Sequence, residues 1–245
     1  MNKISEWIKQ YCDRNTINSL VVGVSGGIDS ALTSKLCALT GIKTILLTMP
    51  IHQAPDQHLR GLKHIEWLKD NHPNVSHRDI HLSNVYDVFV SGLDAIERDD
   101  LALANTRARL RMTTLYQIAQ VYSGIVVGTG NKVEDFGVGF FTKYGDGGVD
   151  ISPIANLTKT DVREMAKKLG VSEEILTASP TDGLWDDGRT DEDQIGASYE
   201  ELEWAMEYDD GSELTDRQKE VLEIYKRLHN QNKHKMIPIP IYRGD

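Results

Sequence analysis

The sequence contains few of the residues on which several classes of protein depend. Its 245 residues include two cysteines, Cys12 and Cys37, which are far apart and do not form a CxxC pair. A disulfide-rich secreted domain needs many more cysteines, and a thiol redox site needs a closer pair. The sequence therefore favours a reduced, cytoplasmic chain.

Basic residues and long apolar runs are also scarce. The chain has 27 Lys and Arg against 37 Asp and Glu, a net charge of −10, which argues against a broad nucleic-acid or anionic-membrane surface. No apolar run approaches the ~20 residues that span a bilayer, and the first residues lack the apolar segment of a signal peptide. The length and the 40% hydrophobic content predict a single globular domain over residues 1–245, with no nucleic-acid or membrane partner.

Aliphatic strands alternate with helical patterns through the first half of the chain. Strands are predicted at 19–24, 42–50, 75–80 and 124–131, and helical patterns at 28–39, 55–69, 82–97 and 101–122. This alternation predicts an α/β fold, a doubly wound parallel sheet flanked by helices and Rossmann-like in type. Ligands of such sheets bind beyond the carboxyl ends of the strands.

In the second half of the chain, long loops alternate with helical patterns and no further strand is predicted. A glycine-rich loop is predicted at 132–157, a helix at 158–169, a further loop at 179–192, and helices near 193–207 and 215–229. The helix at 158–169 begins with a capping box, in which Thr158 is followed by Asp161.

The segment "GVSGGIDS", residues 23–30, follows the first strand and opens a helix. Its glycines let the backbone approach an anion, and the helix directs free N–H groups to the same place. A phosphate loop of the Walker A type would have lysine at the position of Asp29. A carboxylate beside polyphosphate is repulsive unless a cation such as Mg²⁺ lies between them. We therefore expect Asp29 to recruit a magnesium–nucleotide; an ordinary glycine-rich turn is the alternative.

The string "SGGIDS" resembles the SGGxDS signature of the ATP pyrophosphatases, or PP-loop enzymes, which cleave ATP between the α and β phosphates. Their fold is of the adenine nucleotide alpha hydrolase type. Further strings follow in order: "NTRARLRM", "GTGNKVED", "GFFTKYGDGGVDISPI", "SPTDGLWDDGRTDEDQIG" and the closing "HKMIPIP". Together they resemble the NAD synthetases over nearly the whole chain.

The resemblance implies a ligase that forms a C–N bond. ATP, deamido-NAD and ammonia would give NAD, AMP and pyrophosphate through an adenylated carboxylate, with Mg²⁺ as cofactor and a homodimer as the assembly. The glutamine-dependent relatives carry a glutaminase domain before the synthetase. Because the first strand begins near residue 19, we expect no such N-terminal domain and the use of free ammonia.

The resemblance also assigns individual residues. The implied catalytic residues are Asp29, Glu134 and Lys159, and the implied metal ligands are Asp29 and Glu134. The implied ATP contacts are Gly23, Val24, Ser25, Gly26, Gly27, Ile28, Asp29, Ser30, Thr129, Lys159 and Thr181. The implied deamido-NAD contacts are Arg109, Lys143, Asp146, Asp150, His234 and Lys235.

Two alternative functions stay open at this point. One is another PP-loop enzyme, similar to GMP synthetase or to the tRNA-modifying enzymes, although the chain has no paired cysteines for sulfur transfer and no basic face for tRNA. The other is a nucleotide-binding module without catalytic activity, which would not need acidic residues at two metal positions.

Overall fold

A computed structural model describes residues 2–53, 55–181, 190–209, 211 and 213–244, so residues 182–189 of the predicted loop lie outside the described part. Four parallel strands form one sheet in the order β3-β2-β1-β4. Their bounds are β1 Ser19–Gly23, β2 Lys43–Thr48, β3 Val75–Asp79 and β4 Gly124–Val126. The central strand β1 pairs with β2 on one side and with β4 on the other. The predicted fold class is confirmed.

Helices cover both faces of this sheet. Their bounds are α1 Lys3–Asn15, α2 Ile28–Ala38, α3 Pro55–Asn71, α4 Ser83–Ser91, α5 Asp100–Val121, α6 Lys159–Lys168, α7 Glu173–Leu176, α8 Asp191–Ile195, α9 Tyr199–Glu207 and α10 Asp216–Met236. Successive side chains of a strand point to opposite faces. Leu20 and Val22 pack with α1, α2 and α6, whereas Val21 packs with α4 and α5. The inner strands β1 and β2 are largely aliphatic because both of their faces are buried, whereas the edge strand β3 is mostly polar and partly exposed.

A third apolar cluster lies in the C-terminal part of the chain. A short π-helix, Val133–Val138, packs through Val133 and Val138 against Leu202 of α9 and Val221 of α10. This packing fixes the segment that follows β4. Among the described residues, no helix has the length and apolar character that crossing a membrane requires.

Two of the segments predicted after α5 differ from the structure. The strand predicted at 124–131 ends at Val126, because the Gly128 N–H bonds to the carbonyl oxygen of Ile151 and the chain turns away from β1. The loop predicted at 132–157 contains the π-helix. The Asn131 side chain satisfies the first free N–H groups of that helix, which a search for apolar periodicity does not detect.

Three predicted helices also have different limits. The pattern at 82–97 ends at Ser91 and is followed by a separate 3₁₀ turn, Ala95–Glu97. The helix predicted near 193–207 is divided at Gly196, whose φ of 89° closes α8 before α9 begins. The last helix continues to Met236, because the first residue incompatible with a helix interior is the proline that follows Ile237.

Candidate active site

The glycine loop lies at the carboxyl end of the central strand and leads into α2. Gly26 has a φ of 89°, and a Cβ there would collide with the carbonyl oxygen of Gln57, so only glycine fits. The Ser30 hydroxyl donates to the Gly27 carbonyl (2.9 Å) and accepts from the Ser25 N–H (3.2 Å). These bonds close the loop into a concave turn with the α2 N-terminus, an arrangement suited to phosphate.

Three side chains that are distant in sequence meet beside this loop. The Lys159 ammonium donates to Asp29 Oδ2 (2.7 Å) and to Glu134 Oε1 (3.0 Å). Asp29 is in the first turn of α2, Glu134 is in the π-helix after β4, and Lys159 begins α6. The three predicted catalytic residues thus form one cluster, with both carboxylates on one nitrogen atom.

The electrostatics of this cluster are those of a buried ion pair. The Lys159 side chain is only 2% exposed to solvent, whereas the side chains of Asp29 and Glu134 are 17% and 16% exposed. Burial alone would lower the pKa of the Lys159 ammonium, but the adjacent charges of Asp29 and Glu134 raise that pKa above its ordinary value. A lysine in the first turn of a helix opposes the helix dipole; these two carboxylates offset that disadvantage.

Tyr199 contacts the same cluster and was not identified from the sequence. Its buried hydroxyl donates to Glu134 Oε1 (2.6 Å) and lies 3.2 Å from Asp191 Oδ2, and its ring lies against the Lys159 ammonium. Burial, followed by the charges of Glu134 and Asp191, raises the pKa of the Tyr199 phenol, which stays a donor. The only local signal is its place at the start of a capped helix, which gives no hint of a site.

The donor set fits a hard divalent cation. Carboxylate oxygens are the protein ligands that Mg²⁺ prefers, and it commonly takes one or two of them together with substrate phosphates and water. Asp29 and Glu134 supply two carboxylates beside a phosphate-type loop. In the part of the chain that the structure describes, no group of three or more His, Cys, Asp or Glu side chains could hold a metal ion.

A cavity of about 510 Å³ lies beside the cluster. Of the predicted ATP contacts, Gly26 alone does not line it; those that do are Gly23, Val24, Ser25, Gly27, Ile28, Asp29, Ser30, Thr129, Lys159 and Thr181. Two of the predicted deamido-NAD contacts, Asp146 and Lys235, line it as well. The Lys235 ammonium donates to the carbonyl of Phe141 (2.7 Å), which also lines the cavity.

The other four residues of that set lie outside the lining that the described residues form. Lys143 donates to the backbone carbonyl of His234 (3.0 Å), which ties the "FFTKYGDGG" segment to the end of α10. Asp150 accepts from the Val126 N–H (2.7 Å) at the end of β4. Arg109 is exposed on α5. Their roles in substrate binding stay predictions.

Three further charged residues line the cavity without having been predicted: Arg111, Asp135 and Asp191. Arg111 lines it where Arg109 does not, and its Nε donates to the Met49 carbonyl (3.0 Å). The resemblance assigned Arg109 rather than Arg111 to the substrate. Burial and the charge of Glu134 raise the pKa of Asp135 to about 7.

The sequence of this chain is similar to those of known proteins. The sequence matches the model of the NAD synthase family over residues 1–238. It is similar to the NH(3)-dependent NAD(+) synthetase of Carboxydothermus hydrogenoformans, with 37% identity over 95% of this chain and 92% of the relative. The protein of the same description from Methanocaldococcus jannaschii is 34% identical over 98% and 95% of the two chains.

Two solved structures are similar in fold. One is the NMN synthetase from Francisella tularensis, with 34% identity, a TM-score of 0.87, and coverage of 99% of this chain and 96% of the other. The second, the NH3-dependent NAD synthetase from Campylobacter jejuni, is 24% identical with a TM-score of 0.76 over 98% and 96%. At that identity the second likeness concerns the fold alone.

Proposed function

This chain belongs to the NAD synthase family, and on that basis we propose that it amidates deamido-NAD with ammonia at the expense of ATP. The observation that carries the proposal is the convergence of Asp29, Glu134 and Lys159 beside a glycine loop at the carboxyl ends of β1 and β4. The match of the family model to nearly the whole chain disfavours the other PP-loop enzymes and the non-catalytic module.

The reaction needs an activated acid because hydroxide is a poor leaving group at neutral pH. A carboxylate oxygen of the nicotinate attacks the α-phosphorus of ATP, the bond between that phosphorus and the bridging oxygen breaks, and pyrophosphate leaves. Ammonia then attacks the carbonyl carbon, AMP departs with the C–O electron pair, and the nitrogen loses a proton. The products are NAD, AMP and pyrophosphate.

The residues of the site suit these steps. The N–H groups of the glycine loop and the α2 N-terminus would hold the phosphates and the departing pyrophosphate. Asp29 and Glu134 would hold Mg²⁺, which when bound neutralises phosphate charge. Lys159 keeps a fixed positive charge at the same place, where it would balance the charge that develops on the phosphates.

Deamido-NAD is proposed to bind through Arg109, Lys143, Asp146, Asp150, His234 and Lys235. The exposed members of this set suit a substrate that extends beyond the cavity of one protomer. We propose a homodimer for the same reason. Apolar side chains exposed on α4, on α5 and between them support it: Val85, Val88, Phe89, Ile96 and Leu101. Light scattering on the purified protein would measure the assembly.

Free ammonia is the proposed nitrogen donor because the curated relatives named above are described as NH(3)-dependent and are covered almost fully by this chain. We propose a cytoplasmic location, where ATP and the dinucleotide precursor are available. Activity with ammonium salts but none with glutamine is the expected result.

A second candidate substrate is nicotinic acid mononucleotide. The likeness to an NMN synthetase, at 34% identity and a TM-score of 0.87, favours it specifically. Both reactions form the same amide on the same ring and differ only in whether an adenylate half is attached to the acid. The same loop, carboxylates and lysine would serve either substrate.

One assay separates these possibilities. The protein is incubated with ATP, Mg²⁺ and ammonium, together with deamido-NAD, with nicotinic acid mononucleotide or with neither acid, and AMP and the amide are quantified. AMP and NAD formed together, dependent on the dinucleotide, is the expected result. A preference for the mononucleotide would reassign the substrate, and AMP release with neither amide would refute the proposal. Asp29→Asn and Glu134→Gln should abolish turnover, whereas the exposed control Glu164→Gln should not.

A further inference from the structure

Asn131 is fully buried and its side chain contacts both Asp29 and the backbone of Glu134. Its Nδ2 donates to Asp29 Oδ1 (3.1 Å). The two residues are 102 positions apart in the chain, and they belong to different strand ends, so this bond joins the loop after β4 directly to the first turn of α2.

The other end of the same amide holds Glu134. Asn131 Oδ1 accepts from the N–H groups of Val133 and Glu134, both at 3.1 Å. Free N–H groups at a helix start need an acceptor, and an asparagine side chain supplies one effectively. The backbone from which the Glu134 carboxylate projects is therefore fixed by the group that also holds Asp29.

Only a side chain with a donor and an acceptor on one planar group can make both contacts. Aspartate would present an acceptor to Asp29 and repel it, and serine or threonine could cap the helix but lack the N–H donor. The bond to Asp29 uses Oδ1, whereas Lys159 contacts Oδ2. The Asn131 bond can thus persist when a cation other than the Lys159 ammonium occupies the space between the carboxylates.

We propose that Asn131 is a positioning residue that sets Asp29 and Glu134 at the separation a shared divalent cation requires. This inference rests on the proposed function, since it takes these two carboxylates to be the metal ligands. Groups that orient metal ligands from behind commonly change metal affinity or activity ~10–100-fold when they are removed. Lys159 contacts both carboxylates as well, but through Asp29 Oδ2 and Glu134 Oε1 rather than through the Asp29 oxygen that Asn131 holds.

The test uses Asn131→Ser, which keeps a helix-capping oxygen and removes the donor to Asp29. Binding of Mn²⁺ to the full protein with α,β-methylene-ATP is followed by electron paramagnetic resonance, and the Mg²⁺ concentration for half-maximal AMP formation is measured in parallel. We expect Mn²⁺ affinity to fall ~10-fold or more and the Mg²⁺ requirement to rise by a similar factor. Urea unfolding reports whether the fold is kept.

The matched control is Asn74→Ser. The Asn74 side chain donates to the carbonyls of Ala38 (3.0 Å) and Ile42 (2.8 Å), far from the site, so its loss should lower stability without changing metal affinity. Wild-type Mn²⁺ affinity in Asn131→Ser would overturn the proposal, as would an equal loss of affinity in Asn74→Ser. Asn131→Thr is the second capping variant; if neither variant folded, Asn131 would belong to the fold rather than to the metal site.

The metal readout is separate from the amidation reaction. A wild-type protein that bound Mn²⁺ with the nucleotide but amidated neither acid would refute the proposed function and leave the positioning role standing. A wild-type protein that bound no Mn²⁺ with the nucleotide would overturn the positioning role itself.

Discussion

Replacing Lys159 with methionine removes the charge at the centre of the cluster and leaves a side chain of similar length. The Asp29 and Glu134 carboxylates would then lie close together with no cation between them. The two bonds that are lost, at 2.7 and 3.0 Å, are hydrogen bonds between charged groups, and the nitrogen that makes them is almost inaccessible to water. The fold should therefore lose stability.

The magnitude follows from burial. Removing one partner of a buried ion pair commonly costs about 3–5 kcal/mol. Asp29 and Glu134 keep 17% and 16% of their side-chain exposure, so water offsets part of this, and we expect a loss of about 2–4 kcal/mol. For a chain of 245 residues, about 3 kcal/mol corresponds to a fall in the unfolding midpoint of roughly 6–12 °C.

Thermal and urea unfolding of Lys159→Met measure this effect, and Lys63→Met is the matched control. Lys63 pairs with Glu174 on the surface, where both side chains are about half exposed, and such pairs contribute about 0–1 kcal/mol. Millimolar Mg²⁺ should restore more stability to Lys159→Met than to the wild type, because the bare carboxylates then bind the cation. Equal losses in the two variants would refute the assignment of a buried, stabilising ion pair.

Three further predictions concern the loop, the tyrosine and a buried histidine. Gly26→Ala should lower stability by more than about 1 kcal/mol, because the new Cβ meets backbone and φ is positive, and should abolish nucleotide binding; urea unfolding and nucleotide titration check this. Tyr199→Phe should lower the free energy of unfolding by about 1–3 kcal/mol, because Glu134 loses a donor; urea unfolding at pH 7 measures it. Burial lowers the pKa of His64 from 6.5 to about 4. The neutral, buried imidazole therefore contributes fully to stability above pH 6.5, and the free energy of unfolding falls by up to about 3 kcal/mol as the pH drops towards 4. Urea unfolding between pH 6.5 and 4 measures this loss.

Each of these predictions has a control within the chain. Gly41 also has a positive φ, of 75°, but no atom lies within 4 Å of its hypothetical Cβ, so Gly41→Ala should be the milder change and leave nucleotide binding intact. Tyr11→Phe should leave stability almost unchanged, and a loss equal to that of Tyr199→Phe would contradict the role of the hydroxyl. His64→Gln should flatten the pH dependence between 6.5 and 4; an unchanged slope would show that other groups produce it.

The sequence was most informative where local pattern and tertiary structure agree. Continuous aliphatic runs predicted β1 and β2 because both faces of these inner strands are buried. The capping box at Thr158 predicted the start of α6, as the structure has it. The glycine loop was recognisable because the approach of a backbone to an anion needs glycine at fixed spacing. Asp29, Glu134 and Lys159 were named from the resemblance, and they meet in space.

The remaining features depend on contacts that no local pattern contains. The π-helix begins where it does because of Asn131, whose second partner, Asp29, lies 102 residues earlier. In the sequence Tyr199 has the pattern of an ordinary buried helix residue, and only the tertiary structure shows that its hydroxyl contacts Glu134. Arg109 and Arg111 differ in sequence only by their positions on one helix, and only the crossing of α5 over the sheet decides which of them reaches the cavity.

The pairing of β1 with β4 brings Ser19 beside Gly124, and this registration closes a long stretch of intervening chain. Loop closure of that length is entropically unfavourable until many other contacts are in place. The acidic groups at the two strand ends cannot approach one another before the strand order is complete. A partly folded chain in which only the first three strands have paired therefore has the glycine turn and Asp29 in place, but not Glu134. Binding of a divalent ion together with nucleotide during refolding would then report that the last strand has joined the sheet.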